Sequence, residues 1–101
     1  MTYGLFSKFP AQPGKGDDLA DFLLEAAELL ERDPACIQYV VSGSDEPDVV
    51  WVFEVWTDQA AHDASSEPED IRTLIQRAMP LIAGTPEQTQ LVIHGGKGLP
   101  S

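Results

Sequence analysis

The chain has 101 residues, 43% of them hydrophobic, and a formal net charge of −11, which is enough apolar side chain for one compact core. With 17 Asp and Glu against 6 Lys and Arg it is poorly suited to neutralising phosphates, so nucleic acid and anionic membrane surfaces are not expected as partners. The single cysteine, Cys36, excludes an internal disulfide, and no apolar run reaches the roughly 20 residues of a membrane span. The start, MTYGLFSKFP, lacks the charged region and cleavage pattern of a secretory leader, so one cytoplasmic domain over residues 1–101 is expected.

Residues 2–9 alternate, with Tyr3, Leu5, Ser7 and Phe9 on one face, and read as a first strand. PAQPGKG (10–16) is a loop rich in breakers. Residues 17–32 place Leu19, Phe22, Leu23, Ala26 and Leu30 on one side and Asp18, Asp21, Glu25, Glu28 and Arg32 on the other, an amphipathic helix. Asp17 and Asp18 suit its positive end, and Asp33-Pro34 closes it, because a residue before proline is pushed out of the helical region. CIQYVVS (36–42) is a second strand, and the turn GSDEPD (43–48) returns the chain antiparallel.

VVWVFEVW (49–56) is apolar except for Glu54 and predicts a strand buried on both faces. Val50, Val52, Glu54 and Trp56 share one face; Val49, Trp51, Phe53 and Val55 share the other. Asp58 then caps a short helical turn that carries His62 just past the strand end. Ser66-Glu67-Pro68-Glu69 reads as a capping box with proline in the first turn. The helix it opens buries Ile71, Leu74, Ile75, Ala78 and Ile82, with Pro80 disturbing its last turn and Gly84 as its stop. QTQLVIH (88–94) is the last strand, and residues 95–101 form a mobile tail.

The order βαββαβ predicts an α+β, ferredoxin-like antiparallel sheet with both helices on one face. Two helices cover one side of four strands, yet the third strand is greasy on both. A second copy of the chain, packed sheet to sheet, would cover the remainder and give a homodimer with a shared core.

A first strand running into Pro13-Gly14-Lys15, an acidic amphipathic helix, and a third strand ending Phe53-Glu54-Val55-Trp56-Thr57-Asp58 before Ala61-His62 closely resemble the antibiotic biosynthesis monooxygenase family of dimeric α/β barrels. The similarity runs over residues 2–94. It implies a small homodimer with an apolar pocket between sheet and helices in each subunit. It also implies a monooxygenase acting on a small aromatic, quinol-like or polyketide-derived substrate with O2 and no flavin, heme or metal. The chemistry is coherent: an electron-rich phenolate or enolate itself reduces O2, so the protein need only bind it, help deprotonate it and exclude water. No P-loop, dinucleotide fingerprint or cysteine cluster is present, in keeping with an expectation of no cofactor. Heme-degrading relatives hold iron through a histidine on the second helical segment and carry an asparagine on the first strand. Here DASSEPEDIRTL after His62 has no further histidine, and the first strand offers Ser7.

By this resemblance Trp56 matches a tryptophan that lines the pocket, although a bulky core indole is the plain alternative. His62 is the natural proton shuttle, since a free histidine titrates near pH 6.5, or else a solvated surface residue beside Asp63. Glu54 is a candidate base if desolvated, or a partner for Arg72 or Arg77. Those two arginines would stabilise a developing anion, or simply face water. Phe22, Leu23, Tyr39, Ile75 and Met79 serve equally as pocket lining or core, and Cys36 reads as an inert strand residue. Two other functions stay open on this fold: a non-catalytic dimer that binds an apolar ligand, and an isomerase of a small carbonyl compound.

Overall fold

The computed structural model describes residues 2–99. The chain runs β1 (Thr2–Pro10), α1 (Gly16–Leu30), β2 (Cys36–Ser42), β3 (Val49–Trp56), α2 (Gln59–Ala64), α3 (Glu69–Ala78), a 3₁₀ turn (Met79–Leu81) and β4 (Glu87–Ile93). The four strands form one antiparallel sheet in the order β2-β3-β1-β4, the ferredoxin-like arrangement that the element order predicts, with one further short helix, α2.

Register decides which face meets the helices. Tyr3, Leu5, Ser7 and Phe9 of β1 stand opposite Trp56, Glu54, Val52 and Val50 of β3, and Tyr39 of β2 stands opposite Glu54. This face is buried against α1 and α3: Leu5, Val50 and Trp56 are almost wholly shielded from water, as is Leu19 of α1. The opposite face carries Phe6, Trp51, Phe53 and Val40, of which Phe6 is 42% and Val40 46% exposed.

The buried residues fall into two clusters. One is built on Tyr3, Leu5, Leu30, Trp56 and Ile71, the other on Ala11, Leu19, Val50 and Ala78. Tyr39 packs against the first, and Phe22 and Leu23 against the second. The helices therefore do not close one continuous core over the sheet.

Several boundaries differ from the sequence reading, each for a local reason. The helix expected over 17–32 spans Gly16–Leu30, and Asp33 makes the exit: its backbone N–H donates to the Leu30 carbonyl, and its carboxylate accepts from the Ala35 N–H at 3.0 Å. The capping box at Ser66–Glu69 does not form. Pro68 itself holds the extended cap position, with ψ 139°, so the helix begins at Glu69 and Ser66 lies too far upstream to cap it. Pro80 ends α3 at Ala78 by shifting the chain into the 3₁₀ turn, so Ile82 and Gly84 lie beyond the helix. Ile82 bridges to Ala11 instead, and Ile75, expected to be buried, is 43% exposed. The last strand is Glu87–Ile93 rather than 88–94. Of the tail expected to be mobile, Pro100 and Ser101 lie outside the described residues. Before them, the Gly98 carbonyl accepts a bond from the Gln38 side chain at 3.5 Å.

Candidate active site

A cavity of about 400 Å³ lies between the two core clusters. Its walls include Phe22, Leu23 and Leu30 from α1, Ile71, Leu74 and Ile75 from α3, and Tyr39 from β2. Its polar side chains gather on one side: Glu54, His62, Asp63, Ser65 and Ser66. An apolar hollow with a few convergent polar groups is the usual form of a small-molecule site.

Glu54 is on the buried face of β3 because alternation puts it there between Val52 and Trp56, and it is only 7% exposed. The Trp56 indole N–H donates to Glu54 Oε1 at 3.0 Å. His62 Nε2 stands 3.8 Å from that same oxygen, too far for a direct hydrogen bond and near enough for strong electrostatic coupling. Burial pushes the Glu54 carboxyl above its ordinary value; the indole N–H and then the imidazole pull the other way without cancelling it. Among the described residues no wholly buried side-chain nitrogen or oxygen lacks a partner.

His62 is delivered by α2. The Asp58 carboxylate caps that helix by accepting the Ala61 N–H at 2.8 Å, as the sequence reading expects. The imidazole packs edge-on to Trp56 with centroids 5.7 Å apart, and tilted against Tyr3 at 5.3 Å. Its Nδ1 meets Asp63 Oδ1 at 3.0 Å, and Asp63 is largely exposed. Carboxylate, imidazole and carboxylate thus make one chain from solvent to the buried Glu54.

Trp56 is fully buried and does not line the cavity. It backs His62 and holds Glu54, so the expectation of a pocket wall gives way to a supporting role. Arg72 is exposed and lies away from the cavity, because α3 turns its Ile71, Leu74 and Ala78 side inward. Arg77 does not line the cavity and lies over the Phe22 ring, 5.2 Å from its centroid. Neither arginine pairs with Glu54, whose partners are Trp56 and His62. Phe22, Leu23, Tyr39 and Ile75 line the cavity, whereas Met79 lines a neighbouring one. Burial, and after it the nearby Glu54 carboxylate, lift the Tyr39 hydroxyl well above the ordinary tyrosine value, and burial lifts the Cys36 thiol to about 11, so neither is an anion at neutral pH.

Tyr3, Asp63 and Ser65 are among the site residues the sequence reading did not single out. Tyr3 was recoverable from register, since it shares the Trp56 face one strand over. Asp63 required the direction of the imidazole. Among the described residues no group of three or more His, Cys, Asp and Glu side chains is placed to hold a metal ion, and no helix is long and apolar enough to cross a membrane.

The chain is thus an α+β fold of ferredoxin-like topology whose apolar hollow ends in a buried acid and an imidazole. The chain belongs to the antibiotic biosynthesis monooxygenase family, whose sequence profile matches residues 2–77. It is 36% identical to a protein from Chloroflexus aurantiacus named for the same family, over 99% of this chain and 100% of that one, with a TM-score of 0.89. A Caulobacter crescentus protein also named for the family is 22% identical, over 89% of this chain and 87% of that one, with a TM-score of 0.81. SnoaB, a cofactor-independent oxygenase from Streptomyces nogalater, shares the fold at 14% identity, over 96% of this chain and 97% of that one, with a TM-score of 0.78. No curated protein matches the chain.

Proposed function

We propose that this protein is a cofactor-independent monooxygenase that oxidises a small aromatic, quinol-like substrate with O2, acting as a homodimer. Family membership supports the reaction type, and one observation supports the site: an apolar cavity has its carboxylates and its imidazole gathered on one side, where Glu54 and His62 approach within 3.8 Å. A substrate hydroxyl placed there gives its proton to the Glu54–His62 pair. The resulting electron-rich anion passes electrons to O2 within the mostly apolar hollow. The balance closes without an outside reductant. A quinol that gains one ring oxygen becomes a hydroxyquinone: two hydrogens leave the substrate and depart with the second oxygen atom as water.

Oxygen consumption over a panel of quinols and hydroxynaphthalenes, with added chelator, tests the reading. Wild type is expected to turn over at least one of them, and His62→Ala and Glu54→Gln to lose about 10²-fold or more in kcat/KM. Ligand-induced stabilisation with no oxygen uptake by any compound would leave a binding module instead.

A further inference from the structure

Next to the site lies a second cavity of about 350 Å³, toward the other end of the helices, with walls that include Phe9, Leu19, Met79, Ile82 and Pro86. It has no charged lining residue. Leu23, Tyr39, Ile75 and Ala78 line both cavities, so the partition between them is about one side chain thick. Ile75, within that partition, is 43% exposed, and Met79 at the rim of the second cavity is 59% exposed, so neither is held on all sides by packing. Either cavity alone sits at the small end of the usual range for ligand sites, roughly 300–1,000 Å³, and the two together are well within it.

We infer that the substrate is an elongated amphiphile whose hydroxylated ring lies against Glu54 and His62 and whose flexible alkyl tail passes the Leu23–Tyr39–Ile75–Ala78 neck into the second cavity. The inference rests on the proposed reading of the first cavity as the reaction site. Polarity sets the direction, because every ionisable lining residue apart from Tyr39 belongs to the first chamber alone. The neck sets the shape. Two of its four residues, Leu23 and Ile75, are aliphatic side chains with rotamers to change, so the constriction admits a methylene chain more readily than a rigid fused ring, and rotation of the part-exposed Ile75 toward solvent widens it.

The test is calorimetric titration with 4-ethyl-, 4-butyl-, 4-hexyl- and 4-octylphenol, which present the head and tail without a quinol to oxidise. Affinity is expected to rise about two- to fourfold per added methylene and then to level off once the second chamber is filled. Ile82→Phe and Met79→Trp, which add bulk beyond the neck, should bring that plateau to shorter tails, with folding of each checked by its thermal melt. Flat affinity beyond 4-ethylphenol would overturn the inference while leaving the head site standing. A length dependence unchanged in both variants would also overturn it, because the tail would then lie elsewhere on the protein. If no phenol binds, both the tail chamber and the proposed site fall.

Discussion

Glu54 faces away from water, and this one fact governs both its chemistry and its effect on the fold. Because folding raises its pKa, the native state holds the Glu54 proton more tightly than the unfolded chain does. Its contribution to stability is therefore complete below the ordinary value of 4.5 and is lost as pH climbs through the raised native value. Glu54→Gln keeps an acceptor for the indole N–H but cannot ionise. Its melting temperature should match wild type at low pH and exceed it near neutrality; a variant that instead falls below wild type as pH rises would show that the carboxylate is not disfavoured by burial. Trp56→Phe tests the other contact. Loss of the N–H removes the strongest influence holding the Glu54 pKa down, so the acid limb of the kcat/KM profile should move to higher pH. The smaller ring should also cost about 1–3 kcal/mol in a denaturant titration. Were Trp56 only core filler, stability would fall and the pH limb would stay in place.

The elements were largely legible because hydrophobic periodicity carried them: each strand and both longer helices sit within a few residues of where alternation and the 3.6 repeat put them. The errors lie where local chemistry had a competitor. Ser66 has the right residue type for a cap, but Pro68 takes the cap conformation first. Trp56 lies on the cavity-facing side of its strand, yet its bulk is spent on the core, and alternation cannot distinguish the two. The second cavity depends on where α3 stops and the 3₁₀ turn begins, a boundary the sequence reading placed too late. Two glycines at the start of α1 show how closely that element is set. Gly14 has φ 77° in the turn that Lys15 N–H closes on the Gln12 carbonyl, with Pro13 before it, and open space around its Cα. Gly16 has ordinary backbone angles but sits so close to the Pro47 carbonyl oxygen that a Cβ would overlap it. Gly14→Ala should cost about 1 kcal/mol through backbone conformation. Gly16→Ala should cost about 1–3 kcal/mol and displace the 43–48 turn from the helix. Urea unfolding of both variants checks the order, and equal losses would mean that the Pro47 contact yields freely.

At the scale of the whole molecule, the sheet face turned away from the helices is the unfinished part. Phe6 stacks on Trp51 and meets Phe53 edge-on, with Lys8 over the Trp51 ring, so a patch of aromatic surface is organised by its own side chains yet open to water. Val40 next to it is 46% exposed. A patch of this kind is characteristic of an interface, and a second copy brings the same apolar chemistry to it. Opposing that association is a net charge of −11 on each chain. Because the charge lies mainly on the helices and turns, away from the patch, repulsion acts over distance while the apolar gain acts at contact. Salt screens the first and leaves the second. Light scattering should therefore give a mass twice the 11.0 kDa of one chain, with the dimer persisting to lower protein concentration as salt rises. Val40→Glu adds a charge at an exposed strand position that bears no core load; it should shift the protein to monomer with little change in its far-UV spectrum. A wild-type chain that stays monomeric in both low and high salt would show that the aromatic face is tolerated bare.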